Sequence, residues 1–323
     1  MKSFFTYFFA ILVLSVGFTA GFWYFLPHHT DTVSSLSPIP DFLTVKKNDQ
    51  VKLLDLWLPF IQQTYGSGSE QPELTAKSVL MYDLTTNKTI FEKNPRERLP
   101  MASITKIMTA IISIENPRKD EKYLVRKENI VGEDSMGLES GEVLSLEELL
   151  YGLMLPSGND AAEVLANNYY LGRDAFIQAM NDKAKALGLT DTRFSNPSGL
   201  QGDGIQFTTT YDLLVMTKYA LDNYPLFAKI VSTDTHSIVP TSTHKAYELT
   251  SETNLLTTYE GVRGVKTGYT PEAGLCLVTY LDYKGHRIIG IILNSQNRRG
   301  EMKELLDYSL KSLGIEPPEY TGE

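Results

Sequence analysis

The stretch Met101-Ala102-Ser103-Ile104-Thr105-Lys106-Ile107-Met108-Thr109-Ala110 places a serine three residues before a lysine, at the start of an apolar run. The apolar spacing predicts a helix over residues 103–115. Residues i and i+3 share a helix face, so the Ser103 hydroxyl and the Lys106 amine can meet. Serine needs a base to become a strong nucleophile, and a lysine whose pKa is lowered by burial or by a second cation can be that base. Alternatively, Ser103 is a helix cap, a position that serine favours.

The Ser-x-x-Lys spacing alone is weak, because Ser242 and Lys245 repeat it. That second copy follows Pro240 in a stretch rich in threonine, serine and histidine, with no helical apolar spacing. We predict that it lies on the surface, so further motifs must decide which copy carries chemistry.

A second motif, Ser157-Gly158-Asn159, stands between two predicted helices. Its serine could relay a proton to a leaving amine, and its asparagine could bond a substrate amide or Lys106. Either residue could instead cap the following helix. The Ser-x-Asn pattern recurs at Ser295 to Asn297, so this motif is also weak by itself.

A third motif, Lys266-Thr267-Gly268, precedes an apolar strand predicted at residues 273–281. The lysine would hold an anionic substrate and keep Lys106 neutral, and the threonine would bond a substrate carboxylate. Glycine lets the backbone approach a ligand closely. The backbone N–H of Tyr269, with that of Ser103, could form an oxyanion hole. The alternative is an ordinary strand start.

Composition narrows the class of partner. Of 323 residues, 42% are hydrophobic and 21% charged, with a net charge of −9, which is typical of a globular protein without a basic stripe for nucleic acid. The five histidines show no ligand spacing, so we expect neither metal nor cofactor. The single cysteine, Cys276, cannot form an internal disulfide and is expected to be a small buried side chain.

The N-terminus carries no charge from residue 4 to residue 26, a run longer than a signal-peptide core and long enough to cross a bilayer. We therefore expect residues 1–27 to be a membrane anchor, with a cleaved signal peptide as the alternative. Lys2 precedes the run, which favours a single-pass cell-membrane protein with its catalytic domain outside the cytoplasm. Residues 28–73 are then a linker or juxtamembrane segment.

The remaining chain divides into strands at both ends and helices between them. Strands are predicted at residues 78–83 and 89–92 and, after the helical middle, at residues 273–281 and 286–293. A helix over residues 301–313 closes the domain, which we place at residues 74–315, before a tail at residues 316–323. This order predicts an α+β fold, an antiparallel sheet flanked by helices with an inserted helical subdomain.

The three motifs together are far more specific than any one of them, and in this order they are the signature of β-lactamases and penicillin-binding proteins. Over residues 75–313 the chain resembles the D-alanyl-D-alanine carboxypeptidases of peptidase family S11. The likeness extends to the stretches Leu187-Gly-Leu-Thr-Asp-Thr-Arg-Phe-Ser-Asn-Pro-Ser-Gly-Leu and Thr253-Asn-Leu-Leu. The resemblance implies a β-lactamase/transpeptidase-like fold.

The resemblance also implies an acyl-enzyme mechanism on peptidoglycan stem peptides, with β-lactam antibiotics as inhibitors. Ser103 would attack the carbonyl between two D-alanines and Lys106 would take its proton. Ser157 would protonate the departing D-alanine, while Lys266 and Thr267 would hold its carboxylate. Family members use a further arginine for that carboxylate, which Arg298 or Arg299 could match.

Other functions remain open from the sequence. A D,D-endopeptidase that cuts cross-links would need the same groups. A β-lactamase would need a water-activating glutamate, and the nearest match, Glu163, falls inside a predicted helix, so we expect slow deacylation. A non-catalytic penicillin-binding sensor is the third alternative, although all three motifs are intact.

Overall fold

The computed structural model describes residues 45–47, 50–52, 57–59, 61 and 71–322. The predicted membrane anchor and most of the predicted linker lie outside these residues. Within the described part of the chain, no helix combines the length and the apolar character that a bilayer crossing requires.

The described residues form an α+β unit. In chain order its strands are β1 (Val45–Lys47), β2 (Gln50–Lys52), β3 (Ser78–Asp83), β4 (Lys88–Lys93), β5 (Tyr123–Leu124), β6 (Val143–Leu144), β7 (Thr235–Ile238), β8 (Tyr247–Thr250), β9 (Val262–Thr270), β10 (Gly274–Tyr283) and β11 (His286–Ser295). Its helices are α1 (Lys106–Glu115), α2 (Leu146–Met154), α3 (Asn159–Asn167), α4 (Gly172–Ala186), α5 (Thr210–Asn223), α6 (Pro225–Val231), α7 (Leu255–Thr258) and α8 (Arg298–Ser312).

The main sheet joins the two ends of the domain, as the sequence predicts. Its order is β4-β3-β11-β10-β9, and every neighbouring pair is antiparallel. Leu80 of β3 pairs with Ile291 of β11, which in turn pairs with Val278 of β10. Strands β10 and β11 form a hairpin, and β9 pairs with the free side of β10. The third motif therefore lies on an edge strand of this sheet.

The sheet is covered on both faces, because successive side chains along its strands point alternately into two apolar clusters. Leu80, Ile289 and Ile291 belong to a cluster with residues of the helical subdomain. Val79 and Ile288, with opposite orientation, belong to a second cluster that includes the buried leucines of α8. Because β3 is buried along its whole length, its central residues 79–82 are continuously apolar and do not alternate with polar ones.

The helices begin where local chemistry fixes them. Ser145 caps α2, accepting a hydrogen bond from the Glu148 backbone while the Glu148 side chain bonds back, which is the capping box that the Ser-x-x-Glu spacing of the sequence favours. The elements that were not predicted include strand β9, the seven-residue helix α6 and the β7–β8 hairpin. The helix is too short for a clear apolar period, and the hairpin loop includes the Thr/Ser/His-rich stretch around Ser242 and Lys245, both exposed as predicted.

The packed unit extends past residues 74 and 315. Trp57 packs edge-on against Tyr82 with ring centroids 5.5 Å apart, and the Pro59 carbonyl accepts a hydrogen bond from the Tyr211 hydroxyl at 3.1 Å. At the other end Tyr320 forms a β-bridge with Tyr259. Parts of the predicted linker and of the predicted tail therefore pack on the domain.

Glu301, at the start of α8, links the last helix to the segment that leads into β3. Its buried carboxylate accepts hydrogen bonds from the Thr75 N–H at 2.6 Å and the Ala76 N–H at 3.3 Å. The Ser295 hydroxyl donates to it at 2.7 Å. One side chain thus holds together segments from both ends of the domain.

We expect Glu301→Ala to lower the free energy of unfolding by about 3 kcal/mol, since several buried donors lose their acceptor at about 1–3 kcal/mol each. Urea unfolding followed by circular dichroism measures the change. Glu304→Ala, an exposed position on the same helix, is the control and should shift stability by less than about 0.5 kcal/mol. Equal unfolding midpoints for the two variants would contradict the role given to Glu301.

Candidate active site

Ser103 lies in a tight turn at the entrance of α1 rather than inside that helix. Residues Ala102–Thr105 form a 3-10 turn and the α-helix begins only at Lys106, so the prediction of one helix over residues 103–115 is wrong in its first turn. Ser103 makes no capping hydrogen bond, which removes the helix-cap alternative. The turn is held by a hydrogen bond from the Thr105 hydroxyl to the Ala102 carbonyl at 2.8 Å.

Two glycines let neighbouring backbone come close to this turn. At Gly199, whose φ is +92°, an added Cβ would lie 2.0 Å from the Ala102 carbonyl oxygen. At Gly268 it would lie 3.1 Å from both the Met101 carbonyl oxygen and the Ser103 nitrogen. Both approaches are closer than ordinary side-chain contacts, so the nucleophile turn fits between the loop around Gly199 and strand β9.

The Lys106 amine is fully buried and lies 2.9 Å from the Ser103 hydroxyl oxygen. It also donates to Asn159 Oδ1 at 2.7 Å and to the Ser198 carbonyl at 2.8 Å. Burial, reinforced by the positive charge of Lys266, lowers the Lys106 pKa well below its ordinary value of 10.5. A neutral amine has two N–H donors, which these two acceptors take, so its lone pair faces Ser103.

The two polar side chains of the second motif differ in their hydrogen bonding. Asn159, the first residue of α3, contacts Lys106 as predicted. Neither Ser157 nor Asn159 caps α3, because the N-cap position is Gly158. The Ser157 hydroxyl is buried and makes no hydrogen bond within the described residues, and its backbone has a φ of +60°. A buried unpaired hydroxyl on a left-handed backbone is costly, which points to a functional side chain.

The third motif lies inside β9, not ahead of a strand as predicted. Lys266 is 1% exposed and donates to the Thr267 carbonyl at 3.1 Å. Burial lowers the pKa of Lys266 to about 8. The positive charge of Lys266 makes the protonated form of Lys106 less favourable, because the two like charges repel each other.

Of the two candidate arginines, only Arg298 reaches this cleft. Its guanidinium donates to the Gly268 carbonyl at 2.7 Å, beside the third motif. Arg299 turns away and bonds the Tyr320 hydroxyl at 2.7 Å. Tyr269, the next residue of β9, is 60% exposed, and the oxyanion hole formed by its backbone N–H and that of Ser103 stays a prediction.

The structure adds residues that sequence reasoning missed. Asp160 is fully buried and accepts hydrogen bonds from the backbone of Met136, Gly137 and Leu138, so it fixes the loop that lies beside the second motif. Asp160 directly follows Asn159 of the second motif, and this adjacency could have suggested that it supports the site. The Ser198 carbonyl accepts a hydrogen bond from Lys106, and although Ser198 lies in the stretch that resembles the family, a backbone carbonyl has no signature of its own in the sequence.

Glu252 is the second missed side chain. Its carboxylate accepts the Thr267 hydroxyl at 2.8 Å and lies 3.9 Å from the Lys266 amine. An isolated acidic residue carries no recognisable pattern in a single sequence, although Glu252 directly precedes the Thr253-Asn-Leu-Leu stretch.

Glu163 is not available to activate water. Arg173 donates to its two carboxylate oxygens at 2.8 and 3.1 Å, forming a two-bonded ion pair between α3 and α4. Its carbonyl and carboxylate also bond the Asn167 side chain. The carboxylate is engaged in structure rather than directed at Ser103.

We also considered a metal site and a reactive cysteine in the described part of the chain. No group of three or more histidine, cysteine, aspartate or glutamate side chains there could hold a metal ion. Cys276 is buried, as expected, and burial raises the pKa of its thiol to about 11, which disfavours a reactive thiolate.

The comparisons with known proteins agree on one family. The family model for D-alanyl-D-alanine carboxypeptidase, peptidase S11, matches residues 66–297. The Bacillus subtilis D-alanyl-D-alanine carboxypeptidase DacF is 33% identical over 251 residues, which cover 75% of this chain and 64% of that protein. An Escherichia coli D-alanyl-D-alanine endopeptidase is 35% identical over 237 residues, covering 70% of this chain and 74% of that protein.

Solved structures give the same result. The crystal structure of the Streptomyces K15 DD-transpeptidase superposes with a TM-score of 0.70 at 31% identity, covering 75% of this chain and all of that one. The ampicillin-bound penicillin-binding protein D2 of Listeria monocytogenes superposes with a TM-score of 0.65 at 28% identity, covering 74% of this chain and 99% of that one. The chain therefore belongs to the peptidase S11 family of D-alanyl-D-alanine carboxypeptidases.

Proposed function

We propose that this protein is a serine-type D-alanyl-D-alanine carboxypeptidase that trims peptidoglycan stem pentapeptides and is inhibited by penicillin. The observation that carries the proposal is the 2.9 Å contact between the buried Lys106 amine, with its lowered pKa, and the Ser103 hydroxyl. That pair is an activated nucleophile and its base.

Acylation follows from the geometry of the pair. The Ser103 O–H gives its proton to the Lys106 lone pair while its oxygen attacks the carbonyl carbon between the two D-alanines. The developing oxyanion would be bound by the backbone N–H groups of Ser103 and Tyr269. Lys266 and Thr267 would hold the terminal carboxylate, with Arg298 beside them on the Gly268 carbonyl.

Collapse of the tetrahedral intermediate breaks the C–N bond. The proton held by Lys106 must reach the departing amine, and the Ser157 hydroxyl, which has no hydrogen-bond partner among the described residues, is available to relay it. D-Alanine leaves with that proton. Water then attacks the Ser103 ester and releases the shortened peptide, which restores the serine.

A D,D-endopeptidase is the second candidate, because the Escherichia coli relative with 35% identity is named as one. Both reactions need a D-alanine carbonyl over Ser103, and they differ only in the leaving group. A β-lactamase is less well supported, because Glu163 is occupied by Arg173. A penicillin-binding sensor would need the same activated Ser103–Lys106 pair, so only the absence of peptide turnover would distinguish it from the enzyme.

The substrate assay distinguishes these functions. We expect wild-type protein to remove one alanine from wall pentapeptides, with products identified by mass spectrometry, and to form a long-lived penicillin adduct. Ser103→Ala should abolish both, because Ser103 carries the hydroxyl that contacts the Lys106 amine. Ser242→Ala, in the exposed second Ser-x-x-Lys copy, is the matched control and should retain both.

Penicillin labelling that persists in Ser103→Ala would overturn the assignment of the nucleophile. Cleavage of cross-linked dimers without loss of alanine from pentapeptides would make the protein an endopeptidase. Rapid release of hydrolysed penicillin would make it a β-lactamase, and labelling without any peptide product would favour a sensor.

The pH dependence of kcat/KM should be bell-shaped. Activity should rise as Lys106 loses its proton, because only the neutral amine accepts the Ser103 proton. It should fall near pH 8, where Lys266 loses its charge and with it the attraction for the carboxylate. In Lys266→Arg the cation persists to much higher pH, so the alkaline limb should move upward even if the rate is lower. An unchanged alkaline limb in that variant would assign it to another group.

We also propose that residues 1–27 anchor the protein in the cell membrane, with the catalytic domain outside the cytoplasm. The uncharged run from residue 4 to residue 26 supports this proposal. The chain expressed in full should sediment with membranes and resist extraction by high salt. A version that starts at residue 28 should be soluble, and an N-terminus beginning after residue 20 in the mature protein would indicate a cleaved signal peptide instead.

A further inference from the structure

Glu252 occupies the position in the cleft where an anionic substrate group is expected. Its carboxylate accepts the Thr267 hydroxyl at 2.8 Å and lies 3.9 Å from the Lys266 amine. These are the two side chains that, on the proposed function, take the carboxylate of the leaving D-alanine. The pKa values of Lys106 and of Arg298 are both lowered by burial, and the negative charge of Glu252 opposes that lowering without reversing it.

The backbone of Glu252 is fixed while its side chain remains accessible. Its N–H donates to the Leu155 carbonyl at 3.1 Å, two residues before Ser157. The side chain is 38% exposed, whereas that of Lys266 is 1% exposed. Glu252 is therefore anchored at the wall of the cleft but able to swing its carboxylate away from Thr267 into water.

We propose that Glu252 is a specificity-determining residue of the anion subsite, an internal carboxylate that competes with the leaving group for Lys266 and Thr267. The proposal rests on the proposed function for the identity of the reaction. A substrate carboxylate must displace Glu252 or lie beside a like charge, which weakens its binding. The exposed Asp134, whose charge also acts on Lys106 and Lys266, adds to the same repulsion.

A carboxylate beside a lysine and a threonine favours one class of leaving group. A carboxamide in place of the carboxylate has no charge to repel, and its N–H groups can donate to Glu252 while its oxygen accepts from Thr267 or Lys266. The site therefore discriminates less against peptides whose leaving residue ends in an amide than a subsite of cations alone would. Glu252 sets this ratio without touching the bond that breaks.

The test compares two peptides that differ only at this group, N-acyl-D-alanyl-D-alanine and its terminal carboxamide. Binding is measured by calorimetry with the full chain carrying Ser103→Ala, so that no turnover intervenes, with and without Glu252→Gln. We expect Glu252→Gln to tighten binding of the carboxylate peptide about tenfold. Binding of the carboxamide peptide should stay the same or weaken, within about threefold. In the active chain the same substitution should lower KM for the carboxylate peptide more than it changes kcat.

Glu260→Gln, at an exposed position in the turn before β9, removes the same charge elsewhere and is the matched control. An equal effect of both variants, an unchanged ratio of the two dissociation constants, or binding of neither peptide would overturn the role of Glu252. The proposed function is judged separately, by turnover in the chain that retains Ser103. Turnover with an unchanged ratio would reject Glu252 alone, whereas a changed ratio without turnover would reject the proposed reaction alone.

Discussion

The Lys106 amine is enclosed by groups from three separate parts of the chain: the Ser103 turn, Asn159 at the start of α3, and the Ser198 carbonyl. Removing this amine from water makes its charged form unfavourable, and the nearby positive charge of Lys266 adds to the effect. Two acceptors take its N–H groups, so the free lone pair is directed at one hydroxyl. The surrounding architecture can be understood as what keeps this arrangement dry and fixed.

Several features of the fold keep Lys106 buried and fixed in position. Gly199 and Gly268 allow backbone to close over the turn where a side chain would collide. Asp160 gathers the backbone of three successive residues and so fixes the loop that presents Asn159. The main sheet, buried on both faces, gives β9 a rigid neighbour in β10, and β9 in turn positions Lys266. Precise placement of a few groups thus depends on a large apolar core.

Sequence reasoning identified the fold class and the residues that meet in the cleft, because both depend on patterns within short stretches. Apolar runs predicted four of the five strands of the main sheet, and β9 was missed because it carries the polar residues of the third motif. The helix α6 and the β7–β8 hairpin were missed because they are short and held by tertiary contacts. The turn at Ser103 was taken for helix because a 3-10 turn and an α-helix share similar apolar spacing.

Some features of the cleft could not be assigned from the sequence, because they leave no local pattern. Ser198 contributes only a carbonyl, and Glu252 is a single acidic residue in a polar stretch. Arg298 and Arg299 are adjacent, and only the helix start at Arg298 decides which of them faces Gly268. Such choices are made by three-dimensional packing, which spacing in a sequence does not encode.

The order of the strands along the chain also determines the stage of synthesis at which the site can assemble. The turn at Ser103, Asn159 and the two lysines are spread over residues 103–266, and β9 pairs within the main sheet with β10, whose other neighbour is β11. A growing chain has made Ser103 and Lys106 long before it has made the strands that close around them. The chain therefore carries its nucleophile in an unassembled state through most of its synthesis, and reactivity arrives only when the last strands and α8 have joined the sheet.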